Sequence, residues 1–416
     1  MVKKNLLIIT PFNPYPLTSG GHQAIFNGIA ILKDIANVYV LIDCTESQYK
    51  RGEHKRLTQV LPWVNCIPYI LPESRHTLKW YCRVLWNKIS TTLNINLKKE
   101  NESVNDTTSS SFLFVANEYS EEKKHFILEI ISKYNIDIVQ VDMIDGAAIV
   151  DVLPQAIKTI LVHHEIRFVR NELFMAQMSN ITDDDKKRFF VCKQREIELL
   201  NRFNNIVTLS SIDTEKLRAA GVTTPITTSM AVVRDVEFPI EHYPVRKVLS
   251  YVGPEMHYPN YDGIMWFLRN CWNKLLAIDS EYKLQIIGLW NESTAQKIAE
   301  QYQGVQCVGF VENLVQSIAG TTMIVPLNIG SGIRMKILEA AQIGIPVVAT
   351  PVGAEGLPLE NGIHAFITAD ADDFIKDIIA LQEESLRRKF VGNTRNAIKN
   401  QYSFEALKRN RITLYD

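Results

Sequence analysis

Residues 321–357 read TTMIVPLNIGSGIRMKILEAAQIGIPVVATPVGAEGL. An apolar run at 323–326 predicts a strand, and Gly330-Ser331-Gly332 a tight turn. The spacing of Ile333, Ile337, Leu338 and Ala341 predicts a helix with one buried face. Gly344 is placed to end that helix, Pro346 prevents its continuation, and 347–349 reads as the next strand. Backbone amides at such a turn and at the helix start lack intrahelical partners and can hold phosphate oxygens. Arg334 and Lys336 fall in the first turn, where cations oppose the helix dipole at about 0.3–1 kcal/mol each unless an anion docks there. Glu339 is three residues beyond Lys336, so the two share a face; a carboxylate accepts two hydroxyl hydrogen bonds at once, which suits a ribose diol. The same pair also fits an ordinary surface salt pair. Met335 occupies the third glycine position of GxGxxG, and no GxxxxGK[ST] occurs, which argues against dinucleotide and P-loop sites.

Working outward, apolar runs at 6–10, 38–42, 138–141, 159–162 and 206–209 form one strand series. Runs at 248–252, 284–287, 307–310, 323–326 and 347–349 form a second. Amphipathic stretches alternate with them, among them Ile25, Ile29, Leu32 and Ala36, and a long helix through Phe189, Lys193, Glu196 and Leu200. That alternation predicts an α/β protein with two doubly wound, Rossmann-like domains. The expected boundaries are 1–235 for the first domain and 246–401 for the second, with a linker near 231–246. Residues 94–111 are too polar to order themselves and read as a loop. The run from Lys79 to Lys88, with Trp80, Tyr81 and Trp86, fits either a core-packed helix or one touching a lipid surface or an acceptor.

Composition narrows the function classes. Of 416 residues, 46% are apolar and 22% charged, and a formal net charge of −1 gives no field that would draw nucleic acid. Six cysteines without CxxC or zinc-ligand spacing read as reduced thiols of a cytoplasmic protein. No metal-binding signature stands out, since Asp183-Asp184-Asp185 reads as a helix start. The apolar run at 6–9 is too short for a secretory signal, and no run is long enough to span a membrane. Peripheral contact with an inner membrane face stays open.

The stretches PLNIGSGIRMKILEA, GIPVVAT and GAEGL resemble the C-terminal signature of the retaining GT-B glycosyltransferases often called family 4, or group 1. Residues 249–262 resemble that family's opening donor strand, 303–311 its base-contacting strand, and 372–404 its closing helices. The resemblance implies two domains facing a cleft, with the acceptor side in 1–235, the donor side in 246–401, and a terminal helix at about 402–416 packing back on the first domain. It implies transfer of a hexose from a nucleoside-diphosphate sugar to a hydroxyl of a glycan, lipid-linked saccharide or protein. Retention of configuration is implied with it; independence of metal is expected because Arg334, Lys336 and the amides around Gly332 would meet the developing charge, and no cofactor beyond the sugar nucleotide is expected. Gly253, Gly309, Ser331, Gly332, Ile333 and Glu339 would bind the donor. Arg334 and Lys336 would stabilise the leaving diphosphate. Ser19-Gly20-Gly21-His22 resembles the family's glycine loop facing phosphate and acceptor, and one of His163 and His164, with His164 slightly preferred, resembles the histidine near the transferred sugar. The chain departs from the pattern where many members carry a first glutamate eight positions before the second, because Ser331 stands there. A sugar-nucleotide epimerase of the same fold and a non-catalytic carbohydrate-binding protein are the alternatives.

Overall fold

The computed structural model describes residues 3–71, 118–232 and 244–416. The expected loop at 94–111, the aromatic run at 79–88 and most of the expected linker lie outside the described residues.

The first sheet has seven parallel strands in the order β3-β2-β1-β4-β5-β6-β7. These are β1 (Lys4–Ile9), β2 (Ala36–Cys44), β3 (Asn65–Ile70), β4 (Ile138–Asp142), β5 (Lys158–His163), β6 (Asn205–Thr208) and β7 (Ile226–Thr228). The second has six, in the order β10-β9-β8-β11-β12-β13. They are β8 (Val248–Val252), β9 (Lys283–Ile287), β10 (Val305–Gly309), β11 (Thr322–Val325), β12 (Val347–Ala349) and β13 (Phe366–Ile367). All ten expected strands form. The three that the apolar runs missed, β3, β7 and β13, are each the outermost strand on an edge, where one side of the ladder meets no neighbour and less apolar surface is needed.

Each sheet carries an apolar core on both faces. The helix Gly20–Ala30 buries Ile25 and Ile29 but stops well before Ala36, which opens β2 instead. Asp183–Leu200 is one helix, begun by Thr182, whose side chain and that of Asp185 cap each other reciprocally. Its three aspartates therefore serve the helix start, as expected. Gly344 ends the helix Met335–Ile343 at φ +87°, the left-handed conformation that glycine adopts freely.

The closing residues return to the first sheet. Tyr402, Leu407, Leu414 and Tyr415 are buried in the same cluster as Leu6, Ile8, Val38 and Val40. Met335, Leu338 and Ala341 join that cluster too, so one face of the helix Met335–Ile343 is packed against the N-terminal half.

Strand order locates the crevice. In the first sheet the winding reverses between β1 and β4, and in the second between β8 and β11. Ligands of open α/β sheets bind outside the carboxyl ends of the strands at such a reversal. Here the loops from both reversals line one cleft.

Candidate functional site

On the N-terminal wall, Ser19 caps the helix Gly20–Ala30, its side chain accepting from His22 N at 3.4 Å. A Cβ on Gly20 would stand 2.9 Å from Cβ of Met335 in the opposite domain, so the absent side chain lets two helix starts meet. A Cβ on Gly21 would stand 2.9 Å from Cε of Met143, in the loop after β4.

The two adjacent histidines part company because successive residues of a strand face opposite sides. His163 is buried, its Nε2 lying 3.2 Å from Oε1 of Glu196. Glu196 also accepts from the backbone amides of Arg167 at 3.0 Å and Phe168 at 2.9 Å, at the start of the helix Arg167–Ala176. His164 lines the cleft, with Nε2 3.0 Å from Oδ1 of Asp142. Glu165, next on the wall, pairs with Arg170 at 3.0 Å and His257 at 3.6 Å. Burial opposes its charge, but Arg170, His257 and Arg167 outweigh burial and hold the carboxyl well below the usual carboxylate range.

The C-terminal wall is the turn after β11. Gly332 has φ +77°, and a Cβ there would fall 2.2 Å from the backbone oxygen of His164. Glycine is required on both counts. Ser331 is buried, and its Oγ accepts from Ile166 N at 2.7 Å and donates to Ile166 O at 3.1 Å. The hydroxyl proton expected to face a donor is thus directed to the backbone of the other domain. Arg334 stands at the N-cap of the helix Met335–Ile343 rather than within its first turn. Its Nη1 donates to the carbonyls of Ser331 and, at 3.0 Å, Gly332, and its Nη2 to that of Val352 at 3.4 Å. Its Nε is buried without a hydrogen-bond partner. Burial lowers its pKa, against Glu165, Glu355 and Asp213.

Lys336 reaches Asn260, Nζ to Oδ1 at 3.0 Å, and lies 4.7 Å from the ring centre of the buried Tyr251. Burial and the Arg334 charge, opposed by Glu339, pull its ammonium down to about 7. Glu339 accepts a hydrogen bond from Nε2 of Gln23 across the cleft. Burial pushes its carboxyl up, opposed by Gln23 and Lys336.

Gly20, Gly21, His164, Gly253, Ser331, Ile333, Arg334, Lys336 and Glu339 line one cavity of about 890 Å³. That is ample for a nucleotide-sized ligand. At the β10 end Phe310 and Val311 form the wall, with Phe310 47% exposed, while Gly309 holds the loops by accepting from Gly288 N at 2.9 Å. Gly332 supports the turn without being among the lining residues. Sequence reasoning missed Gln23, Asp142 and Asn260, which hold Glu339, His164 and Lys336 respectively. Asp142 left one signal, a carboxylate at the carboxyl end of β4, directly after the run Ile138–Val141. Among the described residues, no group of three His, Cys, Asp or Glu side chains is arranged to hold a metal. Among them too, no helix is long and apolar enough to cross a membrane.

Residues 246–384 match the protein-family model described as Glycosyl transferases group 1. No curated protein sequence matches the chain. Among solved structures, TarM of S. aureus, a mutant in complex with fondaparinux, alpha-GlcNAc-glycerol and UDP, is 13% identical. The match covers 99% of each chain with a TM-score of 0.67. Sucrose-phosphate synthase of Thermosynechococcus elongatus is 14% identical over 99% of this chain and 98% of that one, with a TM-score of 0.69. HepE of Anabaena in complex with UDP is 12% identical over 98% and 97%, with a TM-score of 0.60. These likenesses agree with the two facing Rossmann-like domains of the GT-B fold.

Proposed function

We propose that this chain, a GT-B protein whose donor-side domain matches the glycosyl transferases group 1 model, transfers a hexose from a nucleoside-diphosphate sugar to an acceptor hydroxyl, with retention and without metal. One observation carries the reading. The reversal points of both sheets open on a single cleft, in which the Gly330–Gly332 turn, Lys336 and Glu339 confront Gly20, Gly21 and His164.

The chemistry follows from charge. As the glycosidic bond breaks, the leaving diphosphate gains negative charge, and groups fixed beforehand stabilise it most. Lys336 and the first amides of the helix Met335–Ile343 supply positive ends to that region. Arg334 adds its buried charge while bracing the carbonyls of the turn. Glu339 accepts from the ribose hydroxyls, exchanging its contact with Gln23 for the ligand. His164 faces the transferred sugar, and the acceptor enters from the N-terminal side past Gly20 and Gly21. UDP in the TarM and HepE structures supports a nucleoside diphosphate and makes uridine the first base to try. A cytoplasmic location and a glycan, lipid-linked or protein acceptor belong to the same reading.

The test is a panel of sugar nucleotides scored by thermal shift, followed by transfer assays with saccharide and lipid-linked acceptors. A true donor raises the melting temperature by mass action. Release of nucleoside diphosphate that depends on acceptor supports transfer. An isomerised sugar nucleotide without acceptor would replace the reading by an epimerase, and donor binding without turnover by a carbohydrate-binding protein.

A further inference from the structure

Behind His164, in the middle of the first sheet, two polar side chains are joined to each other and to the segment Ile412–Tyr415. Gln140 and Asp142 are two apart on β4, so they share a face. They are only 1% and 2% exposed. Buried polar groups are costly unless bonded, and these are bonded in series. Tyr415 Oη lies 2.7 Å from Gln140 Oε1, Gln140 Nε2 lies 2.8 Å from Asp142 Oδ2, and Asp142 Oδ1 lies 3.0 Å from His164 Nε2. The series runs from the closing turn of the chain, Ile412–Tyr415, to the wall of the cleft.

We infer that Tyr415, Gln140 and Asp142 form a relay of positioning residues that fixes the tautomer and orientation of His164.

The carboxylate dictates the polarity of every link. A carboxylate only accepts, so facing Asp142 the His164 imidazole presents Nε2–H and Gln140 turns its amide nitrogen toward Asp142. The Gln140 oxygen then faces Tyr415, which must donate. Burial pushes the Tyr415 phenol up to about 12, so the donor proton stays in place at neutral pH. In the neutral imidazole Nδ1 of His164 is then the acceptor nitrogen. A hydroxyl of the sugar or acceptor entering the cleft would therefore meet an imidazole that receives a proton rather than one that donates it. Arg411 anchors the far end, its Nε bonding Ser229 Oγ at 2.9 Å.

The effect on rate rests on the transferase reading; the tautomer does not, so the two can fail separately. Full-length protein labelled with ¹⁵N-histidine reports the protonated nitrogen by NMR, with His164→Gln identifying the signal. Expected are an Nε2–H imidazole in the parent and an Nδ1–H imidazole in Asp142→Asn, whose amide can donate in turn. Tyr415→Phe and Gln140→Leu should displace the His164 signals and lower kcat about tenfold, with donor KM unchanged. Leu407→Ala removes packing from the same closing segment without touching the relay, and should lower melting temperature but leave the His164 signals in place. Signals unmoved in Tyr415→Phe, or moved equally by Leu407→Ala, would overturn the relay. Signals that move while kcat holds would keep the relay and remove His164 from the transfer step.

Discussion

Ser331 and Ile166 hold each other across the cleft, the serine hydroxyl accepting from the isoleucine amide at 2.7 Å and donating to its carbonyl at 3.1 Å. Ser331 belongs to the turn that carries Arg334 and Lys336, and Ile166 follows directly on His164 and Glu165. The clasp therefore sets how closely the two walls approach.

Ser331→Ala should remove two hydrogen bonds of about 0.5–1.5 kcal/mol each from the closed arrangement. Nucleotide affinity should fall roughly tenfold. Small-angle scattering without ligand should show a larger radius of gyration. Unchanged scattering and affinity would mean that the apolar contacts of Met335 and Leu338 hold the domains without the clasp.

Lys336 should make donor binding depend on pH. Its free-state pKa is about 7, and a diphosphate favours the charged form, so binding raises that pKa. Affinity should be highest below pH 7 and decline by up to about tenfold per unit above it. Calorimetry in buffers of differing ionisation enthalpy should find uptake of about half a proton at pH 7. Lys336→Arg, always charged, should flatten the profile. Without ligand the unfolded chain binds this proton better between about 7 and the ordinary lysine range, so the group's contribution to stability rises with pH across that window.

Glu339→Gln and Arg334→Ala should separate binding from turnover. The first removes a charge-assisted contact of about 1.5–3 kcal/mol and should weaken nucleotide binding without lowering the melting temperature. The second should lower kcat more than nucleotide affinity. It should also lower the melting temperature, because the buried carbonyls of Ser331 and Gly332 lose their donor at a cost of about 1–3 kcal/mol. Affinity by calorimetry beside steady-state rates checks both. If both variants bind and turn over like the parent, the donor site lies elsewhere.

Transfer should continue in EDTA. Side-chain cations and helix amides face the cleft, and among the described residues no carboxylate–histidine cluster could hold a metal. Loss of activity in EDTA that magnesium or manganese restores would overturn this expectation.

The central strands and the turn after β11 were legible because they rest on local signals. Runs such as Leu6 to Ile9 are apolar because both faces of the sheet are covered, and Gly330, Gly332 and Gly344 mark backbone that other residues enter at a cost. The strand β3, with Asn65 and Pro68, and the short β7 and β13 lacked that signal because edges need less burial. The partners of the site were illegible for a different reason. Gln23 is 316 positions from Glu339, and Tyr415 is 275 from Gln140; no local pattern couples such pairs. The choice between His163 and His164 turned on a single step along β5, which the apolar run alone did not phase.

The return of the closing residues also bears on how the molecule comes into being. Leu414 and Tyr415 share a core with Leu6 and Ile8, so β1 waits for residues made about 400 positions later before its surroundings are complete. Domains generally fold as units in the order they emerge. Here the N-terminal domain breaks that order: the C-terminal domain, made later, can finish first. A fragment ending at residue 232 would keep all seven strands of its sheet and still present an open apolar face where Leu407, Leu414 and Tyr415 belong. Such a fragment is expected to aggregate rather than to fold alone.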